Sequence, residues 1–373
     1  MDSGLILTMS GLPSALDRLW SLLRREWQQL LQFNRSDRRW QMPFCAALAS
    51  GLPLMVGLYF DHLDYGLVSS LGGLVFIYTA STPLAHRMMM LMACAFGMSA
   101  CYALGIMSHL VTWLQVPVLT VMTILVAMLC RVYAIGPPRG LFFMMAAAIG
   151  AFTPVDLLEL PLRVGLFTMG CLLACLIAFF FSLHALRLQA PQPVAPLPAP
   201  NFDAMVTDPV VTGLSLGGSL LLALALQLDR PYWVAVTCIT VIQGASLRAI
   251  WNRQIQRIAG TGLGLLLATA LLTLPLPPWG FPLIIIALTF LVESLIVRHY
   301  GLAVVFITPM TLLLAEASHL GQGSAGSLLQ ARLIDTVVGS VVGLLGGVVL
   351  HTPSLRGAVS RALRHLTPAR LRH

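Results

Sequence analysis

The sequence contains no lysine and only 14 acidic residues among 373, so charged residues make up 10% of the chain. Soluble domains average roughly 25% charged residues, and this composition therefore excludes an ordinary soluble domain. The basic residues are 22 arginines, and the formal net charge is +8. Because these arginines flank apolar segments in a membrane pattern, we expect no nucleic-acid partner.

Sequence motifs for catalysis and for metal binding are also missing. The chain has no Gly-rich phosphate loop, no Gly-x-Ser-x-Gly and no paired-His pattern. Its seven cysteines lie in or at the ends of apolar segments without metal-ligand spacing, which is typical of small packing residues. We therefore expect neither an enzyme nor a bound cofactor or metal.

Long apolar segments dominate what is present. Hydrophobic residues make up 58% of the chain, and the mean hydropathy is +0.86. Runs of roughly 20 apolar residues can cross a hydrocarbon core about 30 Å thick. We predict twelve crossings, of which Tyr232–Gln243 is among those short enough for a half-crossing or a broken helix. They are Met42–Phe60, Tyr65–Ala80, Met88–Ser108, Leu114–Cys130, Leu141–Phe152, Val164–Leu183, Val210–Leu228, Tyr232–Gln243, Ile258–Leu274, Phe281–Val297, Leu302–Leu314 and Leu333–Leu350.

The arginines predict the orientation of these crossings. Threading the twelve segments from a cytoplasmic N-terminus leaves only Arg163, Arg230 and Arg332 outside. This bias predicts cytoplasmic N- and C-termini. We expect a multi-pass protein of the bacterial inner membrane.

Composition divides the chain into five parts. Residues 1–41 form a cytoplasmic segment with an amphipathic interfacial helix over 12–33, and residues 188–208 form a Pro-rich linker. Residues 352–373 form a basic cytoplasmic tail that anionic lipids would hold. Two six-helix membrane bundles, 42–187 and 209–351, complete an all-α fold.

The two predicted bundles share a weak internal repeat. Tyr65 corresponds to Tyr232, Gly140 to Gly301, and Arg163 with Gly170 to Arg332 with Gly339. An even number of crossings in each half predicts parallel repeats related by a pseudo-two-fold along the membrane normal. The seam between them is the expected pathway.

Glu293 is the acid that lies clearly inside an apolar run. A charge inside a bilayer is costly and needs a reason. Arg298 follows five residues later, which is not the spacing of a pair on one helix face. Glu293 is either a proton-coupling group or the partner of an arginine on a neighbouring helix.

Arg163 and Arg332 begin the sixth and twelfth predicted helices, on the side where positive charge is rare and at a helix end that disfavours cations. We predict that they bind substrate anions at the seam, because guanidinium matches a planar carboxylate. Asp335, Tyr232 and Tyr300 are predicted to complete this site. Local pairing, of Arg332 with Asp335 and of Arg163 with Glu159, is the alternative.

A second group of arginines is predicted at the cytoplasmic mouth. These residues either gather anions before export or are ordinary topological charges. The group comprises Arg87, Arg139, Arg248, Arg253, Arg257 and Arg298.

The second half resembles the fusaric acid resistance protein-like family of membrane transporters, which includes the aromatic acid exporters. The resemblance rests on four motifs, namely Tyr232-Trp233-Val234-Ala235 leading to Gln243, Gln256-Arg257-x-x-Gly260-Thr261-x-x-Gly264, His299-Tyr300-Gly301-Leu302-Ala303 with Phe306-x-Thr308-Pro309, and Arg332-Leu333-Ile334-Asp335-Thr336-x-x-Gly339.

This resemblance implies two six-helix bundles that export aromatic or other weak organic acids at the expense of the proton gradient. The chain is also similar, more distantly, to plant organic-anion channels, in which basic residues line the conduit. Larger family members carry a sizeable cytosolic domain after each bundle, whereas here only the linker and a short tail stand in those positions.

Three functions remain open at this point. The first is a proton-driven exporter of organic anions, the second a passive anion channel, and the third a non-transporting membrane scaffold. The expected partners are membrane lipids and small organic anions. A homo-oligomer and a periplasmic adaptor are left open.

Overall fold

The structure is a computed structural model that describes residues 32–36, 38–194, 196–197, 201–275, 277–316 and 325–366. The predicted interfacial helix over 12–33 lies almost entirely outside these ranges. All regular structure within them is helical.

Thirteen α-helices are described. The first half of the chain contains α1 (Gln41–Tyr59), α2 (Leu63–Gly73), α3 (Leu84–His109), α4 (Gln115–Val132), α5 (Leu141–Phe152) and α6 (Leu160–Leu188). The second half contains α7 (Asp208–Ala225), α8 (Pro231–Ile242), α9 (Leu247–Leu272), α10 (Gly280–Leu295), α11 (Tyr300–Glu316) and α12 (Ala325–His351), followed by α13 (Pro353–Leu366). Short 3₁₀ helices at Leu74–Tyr78 and Thr112–Leu114 flank α2 and α4, and a π-helical turn at Asp203–Thr207 precedes α7.

Within the described ranges, seven helical stretches are long and apolar enough to cross a membrane. They are Gln41–Tyr59, Leu84–His109, Thr112–Val132, Leu160–Leu188, Asp203–Ala225, Leu247–Leu272 and Gly326–His351. Five shorter apolar helical stretches lie between them, at Leu63–Tyr78, Leu141–Phe152, Pro231–Ile242, Gly280–Leu295 and Tyr300–Ala315. All twelve predicted apolar segments are therefore helical, and the prediction of a polytopic helical membrane protein is confirmed.

Two predicted helix starts are wrong. The twelfth crossing was predicted from Leu333 with Arg332 at the helix start, but α12 starts at Ala325, so Arg332 lies about two turns inside the helix. The sequence indicated a basic turn before a helix starting at Ile258, but α9 starts at Leu247 and includes Arg248, Arg253 and Arg257. The Ser246 side chain caps this helix by accepting the Ala249 N–H at 3.2 Å. Arginine is a good helix former. Tertiary packing buries Arg257 and partly covers Arg253, while Arg248 in the first turn is exposed.

The same helix pairings occur in both halves. In the first half α1 packs on α2 and α6, α2 on α6, and α3 on α5 and α6. In the second half α7 packs on α8 and α12, α8 on α12, and α9 on α11 and α12. The halves meet where α4 packs on α7, where α10 packs on α1, and where α5 contacts α8.

Polar contacts join helix ends at the two ends of the molecule. We call the end at which α1 begins the Gln41 end, and the opposite one the Tyr59 end. At the Gln41 end, the His351 ring at the end of α12 contacts the Gly244 carbonyl after α8 at 3.1 Å. At the Tyr59 end, the His109 ring at the end of α3 contacts the Ala151 carbonyl near the end of α5 at 2.9 Å.

Glycine allows close helix packing at some positions of the second half and not at others. A Cβ on Gly339 of α12 would lie 2.5 Å from the Val234 carbonyl oxygen of α8, so only glycine fits at this contact. Gly262 of α9, in contrast, has no atom within 4 Å of the corresponding point. Large apolar side chains such as Phe96 and Met169 are exposed, as expected where helices face lipid.

Candidate functional site

A cavity of about 660 Å³ lies between the two halves at the Gln41 end. The first half contributes residues from α4, α5 and the loop between them, and the second half contributes the start of α7 and the ends of α8 and α12. The walls combine apolar and basic side chains, among them Val126, Arg131, Arg139, Met144, Ile239, Ile242, His351 and Arg356. This arrangement offers an apolar surface beside several positive groups.

Asp208 connects two arginines at the wall of this cavity. Arg131 Nη1 lies 2.8 Å from Asp208 Oδ2, and Arg131 also donates a hydrogen bond to the Ala204 carbonyl. Arg356 of α13 donates to the same carboxylate through Nε at 2.9 Å and Nη2 at 3.1 Å. One carboxylate thus faces two guanidinium groups, and the wall keeps an excess of positive charge.

Arg139 adds a further positive charge to the cavity. Its backbone φ is 52°, a left-handed conformation that is uncommon for a side-chain-bearing residue. The Tyr78 hydroxyl donates to the Arg139 carbonyl oxygen at 2.5 Å and links the loop to the first half. The Arg139 side chain is exposed, and its guanidinium has no ion pair within the described ranges.

A second polar cluster lies inside the second half, and we call Arg257, Arg332 and Asp335 the α9–α12 cluster. Arg332 is 3% exposed and Asp335 1% exposed, one turn apart on α12. The Arg332 guanidinium carbon lies 3.3 Å from the centre of the Trp233 ring of α8, a cation–π contact. Nε and Nη1 of Arg332 and both carboxylate oxygens of Asp335 have no hydrogen-bond partner among the described residues.

Arg257 reaches the same interior from α9. It is 4% exposed. Its Nη1 lies 3.4 Å from the Tyr300 hydroxyl, and its Nη2 lies 3.4 Å from the Thr237 hydroxyl. Trp233 and Thr237 are one turn apart on α8, so a single helix face contacts both buried arginines.

A small cavity of about 10 Å³ adjoins Arg332 and Asp335. Its remaining lining is Arg230, Trp233, Leu312, Leu328 and Ala331. A void of this volume holds about one water-sized particle. An aromatic acid therefore has no room beside Arg332 in this conformation.

Arg163 has a different environment from Arg332. Its Nη1 lies 3.5 Å from Asp64 and its Nη2 lies 3.4 Å from Glu159. These contacts place Arg163 in a partly exposed ion-pair network at the Tyr59 end. The structure does not bring Arg163 and Arg332 into one site within the described residues.

Glu293 is 7% exposed in the last turn of α10. Its carboxylate lies 3.6 Å from Arg38 Nη1, in the segment before α1. This segment also donates the Asn34 N–H to the Arg298 carbonyl at 2.8 Å. Arg38 therefore joins the N-terminal segment to α10, and Asn34 joins it to the α10–α11 loop. Both contacts cross the seam between the halves.

The other predicted site residues are spread over several environments. Tyr232 is half-buried and stacks on Trp233, with ring centres 5.3 Å apart. Arg253 lies over the Tyr300 ring at 5.3 Å and donates to the Thr240 carbonyl at 3.3 Å. Arg87 is buried near the start of α3, whereas Arg248 and Arg298 are exposed.

Sequence reasoning did not single out several residues of these sites. Asp208, His351 and Arg356 line the large cavity, Trp233 and Thr237 contact the buried arginines, and Arg38 is the partner of Glu293. For Asp208, Arg356 and Arg38 the available signal was opposite charge at segment ends on the same predicted side of the membrane. Trp233 lies in the first of the four motifs, but no role was assigned to it. No group of three metal-binding side chains occurs in the described part of the chain.

With this geometry, the chain is a multi-pass helical membrane protein with a charged cavity between its halves and a buried polar cluster inside its second half. Residues 218–346 match the model of the fusaric acid resistance protein-like family. All four sequence motifs lie within this segment, and the resemblance inferred from them is confirmed.

Two bacterial relatives extend the match. The chain is 24% identical to the uncharacterized membrane protein YvaC of Bacillus subtilis (strain 168) over 458 alignment positions, covering 83% of this chain and 72% of YvaC. It is 31% identical to the uncharacterized protein YhfK of Escherichia coli (strain K12) over 149 positions, which cover 39% of this chain and 20% of YhfK. The YvaC alignment is longer than the chain itself, so YvaC contains residues without a counterpart here. No solved structure matches the chain.

Proposed function

We propose that the protein exports weak organic acid anions, with aromatic monocarboxylates preferred, through the seam between its two halves. The observation that carries this proposal is the arginine-bearing cavity of about 660 Å³ between α4–α5 and α7–α8–α12. Binding sites for small molecules commonly have volumes of roughly 300–1,000 Å³. A single-ring acid fits this volume.

The lining suits an amphipathic anion. Ile239, Ile242 and Met144 offer apolar contact to an aromatic ring, while the Arg139 guanidinium can bind a carboxylate through two parallel hydrogen bonds. Arg131 and Arg356 add positive charge but are already engaged with Asp208. Arg139 is therefore the residue to which we assign carboxylate capture.

The repeated helix pairings support two parallel six-helix bundles related by a pseudo-two-fold axis. In this arrangement the Gln41 end faces the cytoplasm of a bacterium, with both termini on that side. The cavity then opens toward the source of the exported anion. Positive charge at the cytoplasmic end is also what the positive-inside rule predicts.

For energy coupling we propose a proton antiporter in which Glu293 carries the proton. Its burial makes the charged carboxylate costly, and Arg38 at 3.6 Å offsets that cost. Protonation of Glu293 would release Arg38 and loosen the contact across the seam. Proton binding and opening of the seam would thereby be linked.

A passive anion channel is the second candidate, and the Glu293–Arg38 ion pair itself favours it. A carboxylate that stays paired contributes to structure and exchanges no proton. An inside-negative membrane potential would then drive anions outward without proton coupling. The same cavity arginines would serve both functions.

The test is transport of labelled hydroxybenzoate in proteoliposomes with and without an imposed pH gradient. Export predicts accumulation against the substrate gradient that an ionophore abolishes, whereas flux that only follows the substrate gradient identifies the channel. Replacing Arg139 with Gln should lower flux about tenfold or more, because one charged hydrogen-bonding partner is lost. Arg187→Gln, at an exposed position near the end of α6, is the matched control and should transport normally.

Two results would contradict these assignments. Equal flux in Arg139→Gln and wild type would show that the seam cavity is not part of the transport pathway. If uphill transport survives in Glu293→Gln, Glu293 does not carry the coupled proton, because a glutamine cannot exchange it. The expected result for Glu293→Gln is loss of uphill transport with substrate exchange retained.

A further inference from the structure

We propose that the second half binds one small monovalent anion of halide size at the α9–α12 cluster, separately from the organic acid in the seam cavity. Arg332 is its ligand in the small cavity, Trp233 of α8 holds that side chain in place, and the buried Arg257 adds positive charge nearby. This site does not depend on the proposed export of organic acids.

Unpartnered polar atoms provide the first argument. Arg332 has two buried guanidinium nitrogens, Nε and Nη1, without a hydrogen-bond acceptor among the described residues, whereas Arg163 has one, Nε. Buried guanidinium groups are stable only when an anion or a hydrogen-bond acceptor compensates them. An acceptor at this place would satisfy donors that the protein leaves open.

Charge balance provides the second argument. Arg332 and Arg257 carry two positive charges, and Asp335 supplies one negative charge. The charged groups near Asp335 at the start of α8, Asp229 and Arg230, cancel each other. Among these described groups one positive charge remains, and one monovalent anion neutralises it.

Size and lining select the class of anion. The cavity beside Arg332 has a volume of about 10 Å³ and is otherwise bordered mainly by apolar side chains. One ion of roughly the size of water fills such a space. A halide fits there, whereas a benzoate ring does not.

Arg163 shows what an ordinary structural arginine looks like in this fold. It occupies the repeat position of Arg332, with a glycine seven residues later in both cases. Two acids, Asp64 and Glu159, lie within 3.5 Å of its guanidinium. The first half therefore provides a matched control in which protein carboxylates neutralise the arginine.

The experiment measures binding of radiolabelled chloride to the purified full chain in detergent, with gluconate replacing chloride at constant ionic strength. Wild type should bind saturably, and the midpoint of thermal unfolding should rise with chloride. Arg332→Gln should lose both effects, and Arg163→Gln should keep them. Asp335→Asn should bind chloride about tenfold more tightly, because it removes the competing negative charge.

Three outcomes would overturn the proposal. They are the absence of saturable chloride binding in wild type, unchanged binding in Arg332→Gln, and unchanged or weaker binding in folded Asp335→Asn. The last comparison keeps the test decisive if Arg332→Gln does not fold. Displacement of chloride by hydroxybenzoate at equal affinity would reassign the site to the carboxylate of the substrate.

Discussion

Two carboxylates, those of Glu293 and Asp335, are buried in the part of the chain that the structure describes. Glu293 and Asp335 both lie inside apolar helices of the second half. Glu293 has an arginine at 3.6 Å from another part of the chain, whereas the Asp335 oxygens have no hydrogen-bond partner in the described ranges. Glu293 therefore connects segments, and Asp335 limits the net charge of an interior cluster.

We predict that exchanging the charges of Arg38 and Glu293 preserves the fold. Arg38→Glu alone should lower the free energy of unfolding by roughly 1–3 kcal/mol, because it places two carboxylates together at a partly buried site. The double variant Arg38→Glu with Glu293→Arg should recover most of this loss. Thermal unfolding in detergent measures both.

Arg39→Glu is the control for this prediction, because the neighbouring Arg39 is exposed. It should unfold close to the wild-type temperature. If the double variant is as unstable as Arg38→Glu, the ion pair does not hold the two segments together. If the double variant is stable and yet fails in uphill transport, Glu293 has a coupling role in addition to its structural one.

At the scale of helices, the contact between α8 and α12 organises the second half. Trp233 and Thr237 face buried arginines from α12 and α9, and Gly339 brings α12 against the backbone of α8. Because the two helix backbones lie so close together, no side chain larger than that of glycine fits at Gly339. The geometry of the α9–α12 cluster therefore depends on one glycine.

We predict that Gly339→Ala destabilises the protein and Gly262→Ala does not. The added methyl group at Gly339 would meet the Val234 carbonyl at 2.5 Å, and overpacking of this kind costs roughly 1–3 kcal/mol. At Gly262, where no atom lies within 4 Å, alanine should be neutral or stabilise by up to about 1 kcal/mol through helix propensity.

The unfolding temperatures of the two purified variants test this difference. Gly262→Ala serves as the control because it makes the same chemical change in a neighbouring helix of the same half. Equal unfolding temperatures would show that α12 can move away from α8 without loss. The close contact at Gly339 would then have no energetic importance.

At the scale of the whole molecule, the contacts between the halves come from helix faces rather than from the linker. In both the α4–α7 and the α10–α1 interface, the fourth helix of one half packs on the first helix of the other half. The Pro-rich linker contributes a hydrogen bond from the Gln192 N–H to the Ser81 carbonyl at 2.8 Å. The two halves should therefore remain associated without a continuous chain.

We predict that a protease site introduced at Pro193 leaves the protein assembled after cleavage. In mild detergent the two fragments should elute together from a size-exclusion column, because the interfaces between α4 and α7 and between α10 and α1 stay intact. A denaturing gel of the same sample shows whether cleavage is complete. Separate elution of the fragments would mean that the covalent linker, and not helix packing, keeps the halves together.

Much of the helical architecture could be predicted from local properties of the sequence. Twelve apolar segments correspond to twelve helices, because segment length and apolarity are read directly along the chain. The start of α9 was missed because its arginines looked too polar for an apolar helix, whereas packing against other helices buries Arg257 and partly covers Arg253. Sequence hydropathy contains no information about such covering.

The candidate sites were predictable only in part. Arg332 was identified because positive charge is unfavourable at its predicted position, and Asp335 as its neighbour, and the structure buries both. Arg163 was assigned the same role by repeat position, yet Asp64 and Glu159 pair with it. The difference arises because spatial neighbours, rather than spacing along the helix, supply the counter-charges.

The sequence by itself determined that this chain is a helical membrane protein with a fusaric acid resistance protein-like segment, since composition, segment length and motif spacing are linear properties. Only the tertiary structure decided which charges meet. The Arg38–Glu293 pair, the Arg131–Asp208–Arg356 contact and the Arg332–Trp233 stack each join parts of the chain that are remote in sequence. Short-range Coulomb and hydrogen-bond energies depend on distances of a few ångströms, and helix packing alone sets those distances.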